Sequence, residues 1–303
     1  MDARRKVGFL LAVNSAVLWG VSGTFGQFLF QRRGINAEWL VSVRLLLAGG
    51  TLLLIASIRK KTRERLKAIW TNPGDVMQLL LFSILGMLAV QYTFFVTIQY
   101  SNAATATVLQ YTAPVLIALY LSIKNRRRPA VREYAAILLA VGGTFLLVTH
   151  GRPGRLSISG PALVWGLASA LAMSFYTVYP VKLLHKYHSS AVIGWSLFIG
   201  GCALCCVHNP LAVPGQWDVY TWVFTAFVIF VGALVAFYSY LTAVKWIGAQ
   251  TASLLASVEP LSAALFSVLW LGTPFTFPDW TGMACILLTV FLLTRSEAKA
   301  YDR

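Results

Sequence analysis

Charge is what this 303-residue chain has least of: 12% of its residues are charged and only ten are acidic. A soluble domain carries about 25% charge, so the polar surface needed to face water on all sides is missing. Histidine and cysteine are scarce as well, at four each. Cys202, Cys205, Cys206 and Cys285 fall in apolar runs and read as small apolar residues rather than a disulfide framework. His208 lies near three of them, but the carboxylates and second cluster of a metal centre are absent, so no metal and no cofactor is expected. His150, His185, His188 and His208 are scattered without an acidic pair, which argues against an integral-membrane enzyme acting on lipid substrates. No phosphate-binding glycine loop is present, and there is no room for a separate soluble domain, so ATP-driven pumping is unsupported. The first apolar run is too long for a cleaved signal peptide.

What is present is hydrophobic sequence, 58% of the chain, with a mean hydropathy of +0.70. Apolar runs of about 20 residues, enough to cross about 30 Å of hydrocarbon as helix, recur ten times. They cover roughly 7–29, 38–58, 76–99, 103–123, 132–149, 159–181, 190–208, 217–243, 249–271 and 279–294, hereafter spans 1 to 10. Barrel strands would be about ten residues long and alternating, so the expected class is an all-α membrane protein in a lipid bilayer.

The net charge of +15 is distributed by side. With the N-terminus inside, 20 of the Lys and Arg residues fall in cytoplasmic segments and four (Arg32, Arg33, Arg152, Arg155) outside. That is a positive-inside signature, and it places both termini in the cytoplasm and the protein in the cytoplasmic membrane as a multi-pass chain. The basic residues form no single stripe, so nucleic acid is not a partner.

Displaced by 146 residues, Leu85–Val148 aligns without a gap to Val231–Thr294. Gly86 meets Gly232, Tyr92 meets Tyr238, Pro114 meets Pro260, and Ala103, Thr105 and Ala106 meet Ala249, Thr251 and Ala252. Gly49-Gly50 over Gly200-Gly201 is the best anchor for the first two helices of each half. Five spans per half is odd, so the copies enter the membrane in opposite directions. The expected architecture is ten transmembrane helices as two inverted five-helix repeats, residues 1–150 and 151–303, with a site near the midplane between them. The basic segment Arg59–Asp75 is the long loop, in which Arg65, Leu66, Ile69 and Trp70 can form an interfacial amphipathic turn.

Candidate site residues follow from cost. Glu259 is the only acidic residue deep in a span; a charge there costs roughly 2.5–3.5 kcal/mol, so it should face a cavity or be protonated. Its bland alternative is a neutral structural carboxyl bonded to Ser257, Ser262 or another helix. Pro114 and Pro260 lack an N–H, so the carbonyls of Gln110 and Ala256 lose their helical partners and need another helix, water or substrate. Arg44 either snorkels to the outer interface or meets a substrate carboxylate. Trp39, Trp217, Trp222, Trp270, Trp280 and Trp246 read as interface anchors, whereas Trp19 lies mid-span with Asn14 and Ser22. Trp19, Tyr92, Tyr111, Tyr176 and Tyr238 can line a cavity for an ammonium or aromatic ligand, with Gln110 and Asn14 as polar contacts; packing alone is the competing reading. Gly20, Gly23 and Gly26 give span 1 a small face for close helix contact.

The chain resembles the EamA-type members of the drug/metabolite transporter superfamily. The likeness rests on Leu18-Trp19-Gly20-Val21-Ser22, Val43-Arg44-Leu45, and Ala103-Ala104-Thr105-Ala106 followed by Tyr111-Thr112-Ala113-Pro114. In the second half it rests on Thr251-Ala252-Ser253-Leu254-Leu255 followed by Glu259-Pro260. It departs from the family pattern where a Gly-Glu is often found, here Arg126-Arg127 and Gly272-Thr273. The resemblance implies a central cavity and alternating access by a secondary active transporter, an exporter or exchanger of a small polar metabolite. A proton or counter-substrate would be the coupling partner, and homo-oligomers are compatible. An amino acid or amine is the expected substrate; a choline-like amine or purine importer, a passive channel and a lipid-acting enzyme are the alternatives.

Overall fold

In the computed structural model, residues 3–58, 60–124, 126, 128, 131–150, 152, 157–247, 252 and 255–301 are described. Ala249, Thr251, Ser253 and Leu254 of the repeat and motif comparisons, together with Arg59, Arg127 and Arg155, lie outside them. The described residues form helices joined by short non-helical segments, and no strand occurs among them. Among the described residues, six helices are long and apolar enough to cross a membrane: Lys6–Arg33, Ala37–Ser57, Pro73–Tyr100, Ala103–Lys124, Gly160–Lys186 and Val219–Tyr240. Four shorter apolar helices, Tyr134–Thr149, Ser189–Cys205, Val258–Leu269 and Phe277–Leu292, stand at the remaining expected spans.

Polar caps start the helices where the apolar runs begin. Asn36 accepts from the Trp39 N–H at 2.8 Å, Asn102 from Thr105 at 2.8 Å, Ser159 from Ala162 at 3.2 Å and Asp218 from Thr221 at 2.8 Å. Each satisfies a first-turn N–H that has no intrahelical acceptor.

Irregularities recur at the repeat distance. Span 3 contains a π-helical stretch, Phe82–Leu88, and span 8 contains another, Phe227–Val235. Span 4 breaks at Tyr111–Thr112, and span 9 breaks at Ser257, 146 residues after Tyr111. The packing is paired in the same sense. Span 1 packs on spans 8 and 9, and span 6 packs on spans 3 and 4; span 2 packs on 7, span 5 on 10, and span 4 on 9. Exchanging the halves leaves these contacts in place.

Small residues set the seams between halves. A Cβ on Gly49 would lie 2.5 Å from the Phe198 nitrogen, and one on Gly201 would lie 2.8 Å from the Leu46 nitrogen, so spans 2 and 7 meet backbone to backbone. Spans 5 and 10 do the same at Gly143 and Gly282, each within 2.7 Å of the other's carbonyl by the same measure. The small face of span 1 is used as well: a Cβ at Gly20 would lie 2.8 Å from the Ala263 nitrogen in span 9. Trp39 is not a lipid-facing anchor. It is buried, and its indole donates to the Pro210 carbonyl at 2.9 Å while its ring packs edge-on against Trp217. Trp222 and Trp270 stay exposed.

Candidate functional site

The two breaks bring a carboxylate and a phenol together. Glu259, one residue before Pro260, is 8% exposed. The Tyr111 hydroxyl, from the break in span 4, lies 3.2 Å from Glu259 Oε2 and 2.6 Å from the Ala256 carbonyl oxygen. Ala256 is the residue whose carbonyl Pro260 deprives of a helical N–H, so the orphan is satisfied by a donor from the other half. A hydroxyl has one hydrogen. When it serves Ala256, the Glu259 contact is complete only if the acid donates to the phenol oxygen. When Glu259 is ionised, the phenol can turn to it and leave Ala256 bare. Of the bland partners, Ser262 bonds the Glu259 backbone carbonyl at 2.9 Å rather than the carboxyl.

Arg44 does not snorkel. It is 5% exposed, its guanidinium donates to the Gly232 carbonyl at 3.1 Å, and it lies over the Phe95 ring at 4.9 Å. Gly232 belongs to the π-helical stretch of span 8, where the wider turn loosens the carbonyl ladder. The Arg44 Nε is buried without a hydrogen-bond partner among the described residues, as are the Trp19 indole nitrogen and the Ser22 hydroxyl. No ion pair joins Arg44 to Glu259. Trp19 packs against Phe237 and Tyr240, at 5.2 and 5.3 Å between ring centroids.

The other candidates divide. Gln110 is buried and donates to the Ser169 hydroxyl of span 6 at 2.8 Å. Tyr176 stacks on Phe82 at 5.7 Å, in the π-helical stretch of span 3. Tyr92 turns towards the end of span 2, its hydroxyl 3.3 Å from Glu38 Oε1 and its ring against Trp165. Tyr238 is a correction: it is 70% exposed and points away from the interior. Two residues are about 200° around a helix, so Tyr240, not Tyr238, faces Trp19. Asn14 is likewise exposed, on a stripe with Val7 and Leu10, and does not join the enclosed cluster.

The sequence reading missed Gln27, which is 2% exposed. Its amide donates to Thr273 at 3.0 Å and accepts from the Ala103 N–H at 2.9 Å and the Ser267 hydroxyl at 3.2 Å. It thereby ties spans 1, 4 and 9 together at the ends remote from the N-terminus. A buried amide in an apolar run was the available signal. Beside the Ser257 break, an apolar crevice of about 360 Å³ lies between Phe9, Leu255, Val258, Leu261 and Phe291.

The EamA-like transporter family pattern matches the chain twice, over residues 6–149 and 160–295. The chain belongs to that family. It is 40% identical over 307 residues to the inner membrane transporter YicL of Salmonella typhimurium, itself uncharacterized, covering 99% of this chain and all of that one. It is 23% identical to the transporter YwfM of Bacillus subtilis, covering 96% of this chain and 94% of that one. A solved crystal structure, 18% identical, superposes over 97% of this chain and 98% of its own with a TM-score of 0.63, which shows the shared fold. This EamA-like protein is therefore a multi-pass membrane transporter of a small molecule, and not an enzyme.

Proposed function

We propose that this EamA-like protein is a secondary active transporter of a small polar metabolite, an amino acid or amine, in which Glu259 is the coupling carboxylate. The observation that supports the reading is the buried Glu259 held against Tyr111 where spans 4 and 9 both break. An intramembrane carboxylate without an ion pair is costly unless it exchanges a proton or a cationic group. Glu259 would hold a substrate ammonium or a proton, and the Tyr111 hydroxyl would follow, serving Ala256 when the acid is neutral and the carboxylate when it is charged. Release of Ala256 would then loosen the contact between the breaks. Trp19, Tyr240, Tyr176 and Gln110 would provide aromatic and amide surface around the substrate, and Arg44 would take a carboxylate where the substrate carries one.

The two halves, 1–150 and 151–303, would rock as inverted repeats about the seams at Gly49–Gly201 and Gly143–Gly282, in alternating access. Gln27 would latch the far side shut in the present conformation. The protein would sit in the cytoplasmic membrane with both termini inside, since the basic residues gather on that face. Counterflow in proteoliposomes tests the reading. Vesicles preloaded with amino acids, choline-like amines or purines should show exchange of one class, and Glu259→Gln should abolish it or its pH dependence. Normal exchange by that variant at every pH would make the carboxyl structural; exchange of purines alone would remove the ammonium role.

A further inference from the structure

A second polar site lies away from the proposed transport path, at the membrane boundary on the face where the chain begins. The helix Lys60–Lys67 and the turn Ala68–Thr71 link spans 2 and 3 and pack on the adjoining ends of spans 2 and 7. Leu66 and Ile69 are buried under this segment, and the Trp195 indole donates to the Leu66 carbonyl at 3.0 Å. Trp70 packs edge-on against Trp195 at 5.1 Å and remains 42% exposed, as an interfacial tryptophan does. The helix thus lies along the interface on its apolar side and turns its cations outward.

Between this segment and the turn at 186–188 is an open groove of about 600 Å³, lined by Arg65, Ala68, Thr71, Asn72, Lys186, Tyr187 and His188. Its floor is fixed: Asp75 accepts from the Lys186 ammonium and, at 2.7 Å, from the Tyr187 hydroxyl. The Asp75 charge is spent on those two contacts. Arg65 is exposed and its guanidinium makes no hydrogen bond or ion pair among the described residues. Lys60, Arg63 and Lys67 are exposed on the same helix as Arg65, and Lys182 is exposed one turn before Lys186. Beyond Asn72 at the groove edge, span 3 exposes Met77, Leu80 and Leu81 on one face within about a turn of each other.

We propose that this groove binds the phosphate headgroup of an anionic phospholipid, with an acyl chain along Met77, Leu80 and Leu81. A planar guanidinium and an ammonium across a polar groove match phosphate oxygens, and the adjoining apolar stripe fits a ligand with a tail. Basic residues beside the end of a membrane-spanning helix attract anionic lipid headgroups.

Native mass spectrometry of the full-length purified protein, titrated with phosphatidylglycerol or phosphatidylcholine, tests it. Wild type should retain phosphatidylglycerol at least fivefold over phosphatidylcholine. Arg65→Gln with Lys186→Gln should bring it down to the phosphatidylcholine level. Arg65→Gln alone removes no hydrogen bond or ion pair among the described residues, so its expected threefold or greater loss reads the site even if the double variant is unstable. Unchanged phosphatidylglycerol retention in Arg65→Gln would overturn the proposal. An equal loss in Lys124→Gln, a cation outside the groove, would overturn it in favour of bulk charge. Inorganic phosphate displacing the lipid at equal concentration would overturn the lipid assignment in favour of a free anion.

Discussion

Span 4 breaks at Tyr111–Thr112 ahead of Pro114, and span 9 breaks at Ser257 ahead of Pro260. Their backbones share one frame, with breaks and prolines at the same 146-residue separation, yet their side chains do not correspond. Where the second half carries Glu259, the first carries Ala113; where the first carries Gln110 and Tyr111, the second carries Ala256 and Ser257. The phenol of one half therefore meets the carboxylate and the orphaned carbonyl of the other. A duplicated backbone supplies matched breaks, and divergence of a few side chains places one carboxylate on one side of the contact between them. The same holds in spans 2 and 7. At the offset set by Gly49-Gly50 and Gly200-Gly201, buried Arg44 corresponds to Trp195, which bonds the interfacial helix instead.

That asymmetry can be broken from either side. The largest effect is expected for Glu259→Gln, at least tenfold on counterflow, with the amount of folded protein unchanged; a structural carboxyl would lower both together. The seams come next. Gly143→Ala places a Cβ 2.7 Å from the Gly282 carbonyl, whereas Gly142→Ala meets nothing within 4 Å. The first should cost roughly 1–3 kcal/mol as overpacking. The second should be neutral or better, since alanine is favoured over glycine in helices by about 1 kcal/mol. Thermal melting in one detergent separates them, and equal behaviour would mean spans 5 and 10 do not meet at this glycine.

Tyr111→Phe leaves the Ala256 carbonyl without its donor and should destabilise by about 1–3 kcal/mol. It should also change the pH profile of exchange, whereas loss of packing alone would lower the rate at every pH equally. Arg44→Gln strips the Gly232 carbonyl of a charged donor and should cost more than Trp195→Phe, which loses one neutral bond worth about 0.5–1.5 kcal/mol. The reverse order in melting temperature would show that Arg44 is less enclosed than Trp195.

The smallest effect concerns Asp218, which the Thr221 N–H and hydroxyl and then Arg33 hold below the ordinary 3.8. A depressed carboxylate stabilises above its unfolded pKa, and that stabilisation disappears as pH falls through the folded value. Wild type and Asp218→Asn should therefore differ in melting temperature near pH 6 and converge below pH 3.8; a constant difference would remove the ionic contribution.

Much of the membrane fold was legible before any coordinates. Apolar runs of spanning length and one repeat offset name the helices, because hydrocarbon leaves the backbone few other ways to satisfy its hydrogen bonds. Glu259 and the paired prolines stood out for the same reason, as groups whose cost in lipid is high wherever they point. Direction was not legible. Tyr238 and Tyr240 are equally aromatic and two residues apart, and only the rotation of span 8 against span 1 places Tyr240 on Trp19 and leaves Tyr238 exposed. Arg44 had two destinations of comparable reach, and the Gly232 carbonyl and the Phe95 ring decided between them. Gln27 looked like any amide until three spans converged on it.

The sequence by itself thus determined the class, the number of apolar spans and the doubled pattern, since these depend on the solvent and on one-dimensional periodicity. The tertiary structure alone decided which polar groups meet, because that depends on helix rotation and on partners about 150 residues apart, such as Tyr111 and Ala256. Close approach at Gly20, Gly49 and Gly143 fixes those rotations, since a side chain at any of them would hold the helices apart.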